Sequence, residues 1–154
     1  MTQTIDERLK AMGLELPSPA APAANYVPYV LSSGQLFISG QLPLIEGGEA
    51  FEGTVGTDVD VATAKRAARA CAINILAQAK AALGELERIE RCLKVGGFVN
   101  SAPDFTAHPE VINGASDLLG EVLGERGAHA RFAVGCASLP RNVPVEVDAL
   151  FAVT

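Results

Sequence analysis

Tryptophan is absent from this chain of 154 residues, which holds only two tyrosines and six phenylalanines. Base-stacking platforms are built from such rings, so little material exists here for one. Positive charge is also scarce: 12 Lys and Arg against 18 Asp and Glu leave a formal charge of −6. The densest basic group, Arg88, Arg91 and Lys94, interleaves with Glu85, Glu87 and Glu90. It reads as a solvated mixed-charge edge, because phosphate binding needs basic residues that outnumber their acidic neighbours. Nucleic acid is therefore not an expected partner. No apolar run approaches the ~18 residues that a membrane span needs, so no membrane partner is expected either. Met1 to Lys10 is polar and contains Asp6 and Glu7, which excludes the apolar core of a secretory signal and makes the cytoplasm the expected location. Cysteines number three, Cys71, Cys92 and Cys136, widely spaced among apolar residues. That spacing gives neither a zinc motif nor a disulfide framework and predicts buried thiols. No metal is expected.

What is present suffices for one domain, long enough to bury roughly two thirds of its unfolded surface. Thr4 and Glu7 have capping-box spacing ahead of Ile5, Leu9 and Met12, so a short helix over Thr4 to Met12 is predicted, ended by Gly13. Pro17 to Ala24, with three prolines and four alanines, reads as an extended connector. The chain thus divides into an N-terminal helix and connector, 1–24, and a main domain, 25–154. Tyr26 to Leu31 and Gln35 to Ser39 are β-prone runs around Ser32-Ser33-Gly34, a hairpin signal. Gly40 to Thr57 is rich in glycine and is expected to be mostly loop.

Asp58 or Asp60 can cap a helix that runs to Leu83, buries Ala64, Ala68, Cys71, Ile75, Ala79 and Ala82, and stops at Gly84. Ile89 to Asn100 alternates as a strand. A second long helix is predicted from His108 or Pro109 to Leu123, with Val111, Ala115, Leu118, Leu119 and Val122 inward. Two strands, Ala130 to Ala137 and Val145 to Val153, close the chain. The order β-β-α-β-α-β-β points to an α+β fold, a β-sheet with two helices on one face.

The last two strands carry the most chemistry. Side chains alternate along a strand, so Phe132, Val134 and Cys136 share one face and Arg131, Ala133 and Gly135 the other. If the two strands form a hairpin with Cys136 opposite Val145, then Gly135 meets Glu146, Ala133 meets Asp148 and Arg131 meets Leu150. With the larger apolar residues turned to the helices, Arg131 and Glu146 fall on the helix-free face, where small neighbours leave room. Such an arginine is a surface charge, part of a subunit interface, or an anion holder whose planar fork suits a carboxylate. Four residues along a strand is about 13 Å. Arg131 and Glu146 could then serve one small ligand only between chains, or through a bridging water.

The segment Ala130-Arg131-Phe132-Ala133-Val134-Gly135-Cys136-Ala137-Ser138-Leu139-Pro140, followed by Val145-Glu146-Val147-Asp148-Ala149, resembles the C-terminal signature of the RidA (YjgF-type) enamine/imine deaminases. Pro28-Tyr29 and Ser39-Gly40-Gln41-Leu42-Pro43 agree with the same family, so the resemblance spans about Asn25 to Val153. It implies a chorismate-mutase-like fold assembled as a homotrimer, with the sheets forming an inner barrel and sites between subunits. It also implies hydrolysis of 2-aminoacrylate-type intermediates to a 2-keto acid and ammonia, without a cofactor. By the same resemblance Arg131 pairs with the substrate carboxylate and Glu146 orients or activates the attacking water. Tyr29, Gly40 and Asn113 line the cleft.

Ala133 stands where the family often has a cysteine, which puts pocket contacts in question. Cys136 cannot replace that cysteine, because it points to the other face. His129 shares the Arg131 strand face near its end, but the family gives no histidine a role there. His108 reads as a helix-start residue, and Asp148 as a second acid or, in preference, half of an interface salt bridge. Two other functions remain open: a trimeric module that binds small carboxylates without turnover, and the ribonuclease or translation-inhibitor role sometimes attached to the family.

Overall fold

A computed structural model describes residues 2–22 and 24–154; Met1 and Ala23, the latter within the predicted connector, lie outside the described residues. Among the described residues three α-helices, α1 (Ile5–Ala11), α2 (Val61–Leu83) and α3 (His108–Leu123), accompany five strands. The strands are β1 (Tyr29–Ser32), β2 (Gln35–Gln41), β3 (Ile89–Asn100), β4 (Ala130–Cys136) and β5 (Val145–Val153). The architecture is α+β, as expected. The Thr4/Glu7 capping box closes the start of α1, and Asp60 caps α2 by accepting from the Thr63 N–H at 2.7 Å. Gly84 ends α2 with φ +83°, a conformation that glycine adopts without strain. The first hairpin also forms, Ser32 pairing with Gln35. No helix among the described residues is long and apolar enough to cross a membrane.

The strands form one sheet in the order β1-β2-β5-β3-β4. Here the expected pairing of the last two strands fails. β4 does not pair with β5; it runs parallel to β3, and β5 inserts antiparallel between β2 and β3. Arg131 lies opposite Val95, which lies opposite Ala149; Ala133 is level with Gly97 and Val147. Val95, Val147 and Ala149 are buried beneath the helices, so Arg131, Ala133 and Gly135 face the helices. Phe132 and Val134, level with Gly96 and Phe98, face away. The predicted faces of β4 are therefore reversed, and Arg131 and Glu146 lie on opposite faces of the sheet.

The physical reason is that both faces are apolar. On the helix-free side Val30, Phe37, Phe98, Phe132 and Val134 are each 37–49 % exposed, and Phe98 meets Phe132 edge to face at 5.3 Å. Hydrophobicity alone could not say which side the helices cover. The small residues that suggested empty space are where α3 descends. A Cβ on Gly97 would overlap the Ile112 side chain, and one on Gly114 would strike the Lys65 carbonyl of α2. With its run of buried alanines, α2 packs closely on both the sheet and α3. Cys71 and Cys92 are buried as expected, and loss of solvent pushes the Cys92 thiol up to about 12. Cys136 is only half-buried.

Candidate functional site

Arg131 is half-buried on the edge strand β4 and reaches across to the first turns of α3. Its Nη1 donates to Asn113 Oδ1 at 2.9 Å and to Ser116 Oγ at 3.1 Å, and its Nη2 donates to the Pro109 carbonyl at 3.1 Å. A guanidinium has five N–H donors. Three are used, so Nε–H and one Nη2–H remain without a protein acceptor among the described residues. All three partners are neutral oxygens. The ion pairs among the described residues, Arg66–Glu49 and Arg126–Glu87, involve other arginines. Arg131 thus keeps its full positive charge and two spare donors, the arrangement that a carboxylate or another oxyanion satisfies best. Asn113 is brought to Arg131. Ala133 is half-buried two residues along the same face and packs against the core.

A second group gathers elsewhere. The bulge between Ile38 and Gln41 sets two residues, Ser39 and Gly40, against one on β5, a device that bends a strand and re-aims its backbone. Gly40 is so close to Glu146 that a Cβ there would collide with the carboxylate. Ser39 ties this segment to Pro28-Tyr29: its N–H donates to the Pro28 carbonyl at 2.9 Å and its hydroxyl to the Val27 carbonyl at 2.7 Å. Tyr29 is half-buried and opposes the buried Ile38, so it packs toward the core, on the face of the sheet away from Glu146. Arg141, which sequence reading passed over, helps to line a cavity of about 420 Å³ with Gly40, Tyr26 and Asn74. The turn that carries it has left-handed backbone at Arg141 (φ +56°) and Asn142 (φ +55°).

One chain does not join the two groups. Tyr29 and Arg131 lie on the two edge strands, four strand spacings or roughly 19 Å apart. Glu146 is three residues along and two strands away from the level of Arg131, roughly 14 Å within the sheet before the change of face is counted. Sequence reading expected separation because of strand register; the structure gives it a different cause.

Glu146 and Asp148 share the apolar, helix-free face. Loss of solvent raises the Glu146 carboxyl above its ordinary value, and the Asp148 charge adds to this. Desolvation likewise raises Asp148, opposed by the Gly96 N–H that it accepts at 2.9 Å and by Lys94. No salt bridge forms at Asp148 among the described residues. A raised carboxyl favours the protonated folded state, so its ionisation costs stability as pH climbs past the ordinary value of 4.5 through the higher folded one. Glu146→Gln is therefore expected to raise the Tm at pH 7, with the gain vanishing at about pH 3, where both forms are neutral. Thermal melts across that range check it; a gain that persisted at pH 3 would assign the effect to packing.

His108 begins α3, as expected, and its Nε2 lies 3.2 Å from Ser101 Oγ. Gly135 makes room for that pair, since a Cβ there would come within 2.6 Å of the imidazole. Sequence reading missed the contact of Ser116 with Arg131. Its signal was available: Ser116 lies one turn after Asn113 on the same stripe of α3, and it mattered only once β4 was turned to face that helix.

An α+β domain holding an unpaired arginine at a sheet edge is the class of protein defined so far. The family described as "YjgF/chorismate_mutase-like, putative endoribonuclease" matches residues 6–153. The chain is 51% identical over 143 residues to Protein TCP17 of Trypanosoma cruzi, covering 92% of this chain and 89% of that protein. It is 54% identical to Atu1372 of Agrobacterium tumefaciens, whose crystal structure superposes with a TM-score of 0.90 over 97% of this chain and 92% of that one. The crystal structure of a protein from Shewanella oneidensis MR-1, described as a putative endoribonuclease, is 38% identical, with a TM-score of 0.94 over 98% of this chain and 100% of that one. The chain belongs to the RidA/YjgF family.

Proposed function

We propose that the protein is an enamine/imine deaminase acting on small, reactive carboxylates of the 2-aminoacrylate type. The observation that carries this reading is Arg131: a positive charge held by three neutral oxygens, with Nε–H and one Nη2–H left to grip a carboxylate. After the enamine tautomerises, water adds to the imine carbon, a C–O bond forms, the C–N bond breaks, and ammonia leaves a 2-keto acid. No redox partner is required. Glu146 takes the proton from water and returns one to the nitrogen. Its raised carboxyl is a stronger base than an ordinary carboxylate, which suits it to take a proton from water.

Because Arg131 and Glu146 of one chain face apart, the working site joins the β4 edge of one subunit to the Gly40–Glu146 group of the next. Repeating that head-to-tail contact closes a ring. A homotrimer with sheets turned inward would cover Phe37, Phe98 and Phe132, large apolar side chains exposed together on the helix-free face. The separation also favours a second reading. A single chain can hold a carboxylate with no acid or base beside it, which is all that a non-catalytic carboxylate-binding module needs. The net charge of −6 and scarcity of aromatic rings speak against an RNA substrate.

Generating 2-aminoacrylate in situ with a dehydratase and following its decay to pyruvate tests the proposal. A wild-type rate no faster than buffer would sink the deaminase reading. Saturable, Arg131-dependent pyruvate binding without turnover would then establish the binding module.

A further inference from the structure

Behind Arg131 lies a chain of hydrogen bonds that reaches no charged group. Ser116 Oγ, 3.1 Å from Arg131 Nη1, is also 2.8 Å from His129 Nε2, and His129 Nδ1 is 2.6 Å from the Gly127 carbonyl. A carbonyl oxygen only accepts, so Nδ1 carries a proton. In the neutral ring Nε2 is then a bare acceptor, and the Ser116 hydroxyl must donate to it. That fixes the hydroxyl rotor and turns the Ser116 lone pairs toward Arg131. With the ring neutral, the series runs in one direction: Arg131 to Ser116, Ser116 to His129, His129 to Gly127.

We propose that Ser116 and His129 are positioning residues that set the aim of the Arg131 guanidinium. Ser116 and Asn113 occupy both Nη1 hydrogens, so the fork cannot rotate away from its α3 acceptors. Nε–H and the second Nη2–H then point outward as a fixed pair for an incoming carboxylate. A serine alone would not do this, because its free hydroxyl could turn to the carbonyl four residues earlier in α3 and change its lone-pair direction. His129 removes that freedom, and the Gly127 carbonyl fixes His129. The inference rests on the reading of Arg131 as a carboxylate holder, but its geometric content can be examined without any ligand.

The histidine offers a clean dissection, since its two nitrogens can be replaced separately. In His129→Gln the amide oxygen can stand near the place of Nε2 and accept from Ser116. In His129→Asn the amide nitrogen stands near the place of Nδ1, keeping the Gly127 bond and losing the acceptor. Two measurements on the full-length protein decide the matter: NMR of the Arg131 Nε–H and Nη groups, assigned with Arg131→Lys, and titration with pyruvate. Wild type and His129→Gln are expected to show slow guanidinium rotation and affinities within about threefold of each other. Ser116→Ala and His129→Asn are expected to show averaged Nη signals and about tenfold weaker pyruvate binding, the worth of one hydrogen bond to a charged group.

Unchanged Arg131 signals in both Ser116→Ala and His129→Asn would overturn the proposal. Equal losses in Gln and Asn, tracking a common drop in Tm, would also overturn it, as the mark of a purely structural residue. If pyruvate fails to bind even the wild type, the carboxylate reading falls, and the guanidinium signals still decide whether the relay holds Arg131.

Discussion

Replacing Arg131 by alanine is expected to lower both the affinity for pyruvate and kcat/KM toward 2-aminoacrylate by about 10²–10³-fold. Two charge-assisted hydrogen bonds to a carboxylate are lost together, at roughly 1.5–2 kcal/mol each. Each 1.36 kcal/mol is tenfold in rate. Arg131→Lys separates charge from geometry. An ammonium keeps the attraction but cannot fill three α3 acceptors while offering a flat pair of donors, so at least a tenfold loss should remain. Steady-state kinetics and calorimetric titration read both variants, and circular dichroism confirms that the fold survives. Full activity in Arg131→Ala would remove the residue from the site altogether.

The largest effect on stability is expected at a residue with no side chain. A Cβ on Gly114 would collide with the Lys65 carbonyl, backbone against backbone, where α3 crosses α2. Neither atom can swing aside, so the two helices must separate. Overpacking a tight contact costs about 1–3 kcal/mol, and a rigid backbone partner places Gly114→Ala near the top of that range. The control lies on the same helix. Gly120 is exposed with nothing near its missing Cβ, so Gly120→Ala should stabilise by about 0.5–1 kcal/mol through helix propensity alone. Urea melts should therefore move in opposite directions at similar m-values. A Gly114→Ala midpoint at or above that of the wild type would contradict the close helix contact.

Much of this architecture is legible in the chain. Asp60 and Gly84 bracket α2, the inward faces of α2 and α3 follow their apolar spacing, and Ile89–Asn100 is a strand along its predicted length. These are local signals, and local physics decides them. Which strand neighbours which is not local. Leu139-Pro140-Arg141-Asn142 looks like a link between hairpin strands, yet the chain there leaves the sheet edge and re-enters two positions inward. Alternation showed that Arg131 and Phe132 point opposite ways, but assigning the bulkier side chain to the helices gave the wrong direction. Phe132 instead sits over Gly96 on the outer face. The candidate residues were visible as types in a pattern, whereas the groups they form, Arg131 with Asn113 and Gly40 with Glu146, depended on strand order.

That strand order also bears on how the protein comes to be folded. β4 has a neighbour on one side only and reaches it by a parallel crossover through α3, so no nearby turn can zip it into place. Its pairing must wait for a long loop to close and for α3 to dock, the slow kind of step in chain collapse. Arg131 would therefore acquire its partners late and, as part of a weakly tethered edge, be among the first to lose them in local opening. Amide exchange along Ala130–Cys136 would then report ligand occupancy more sensitively than the melting temperature of the whole domain.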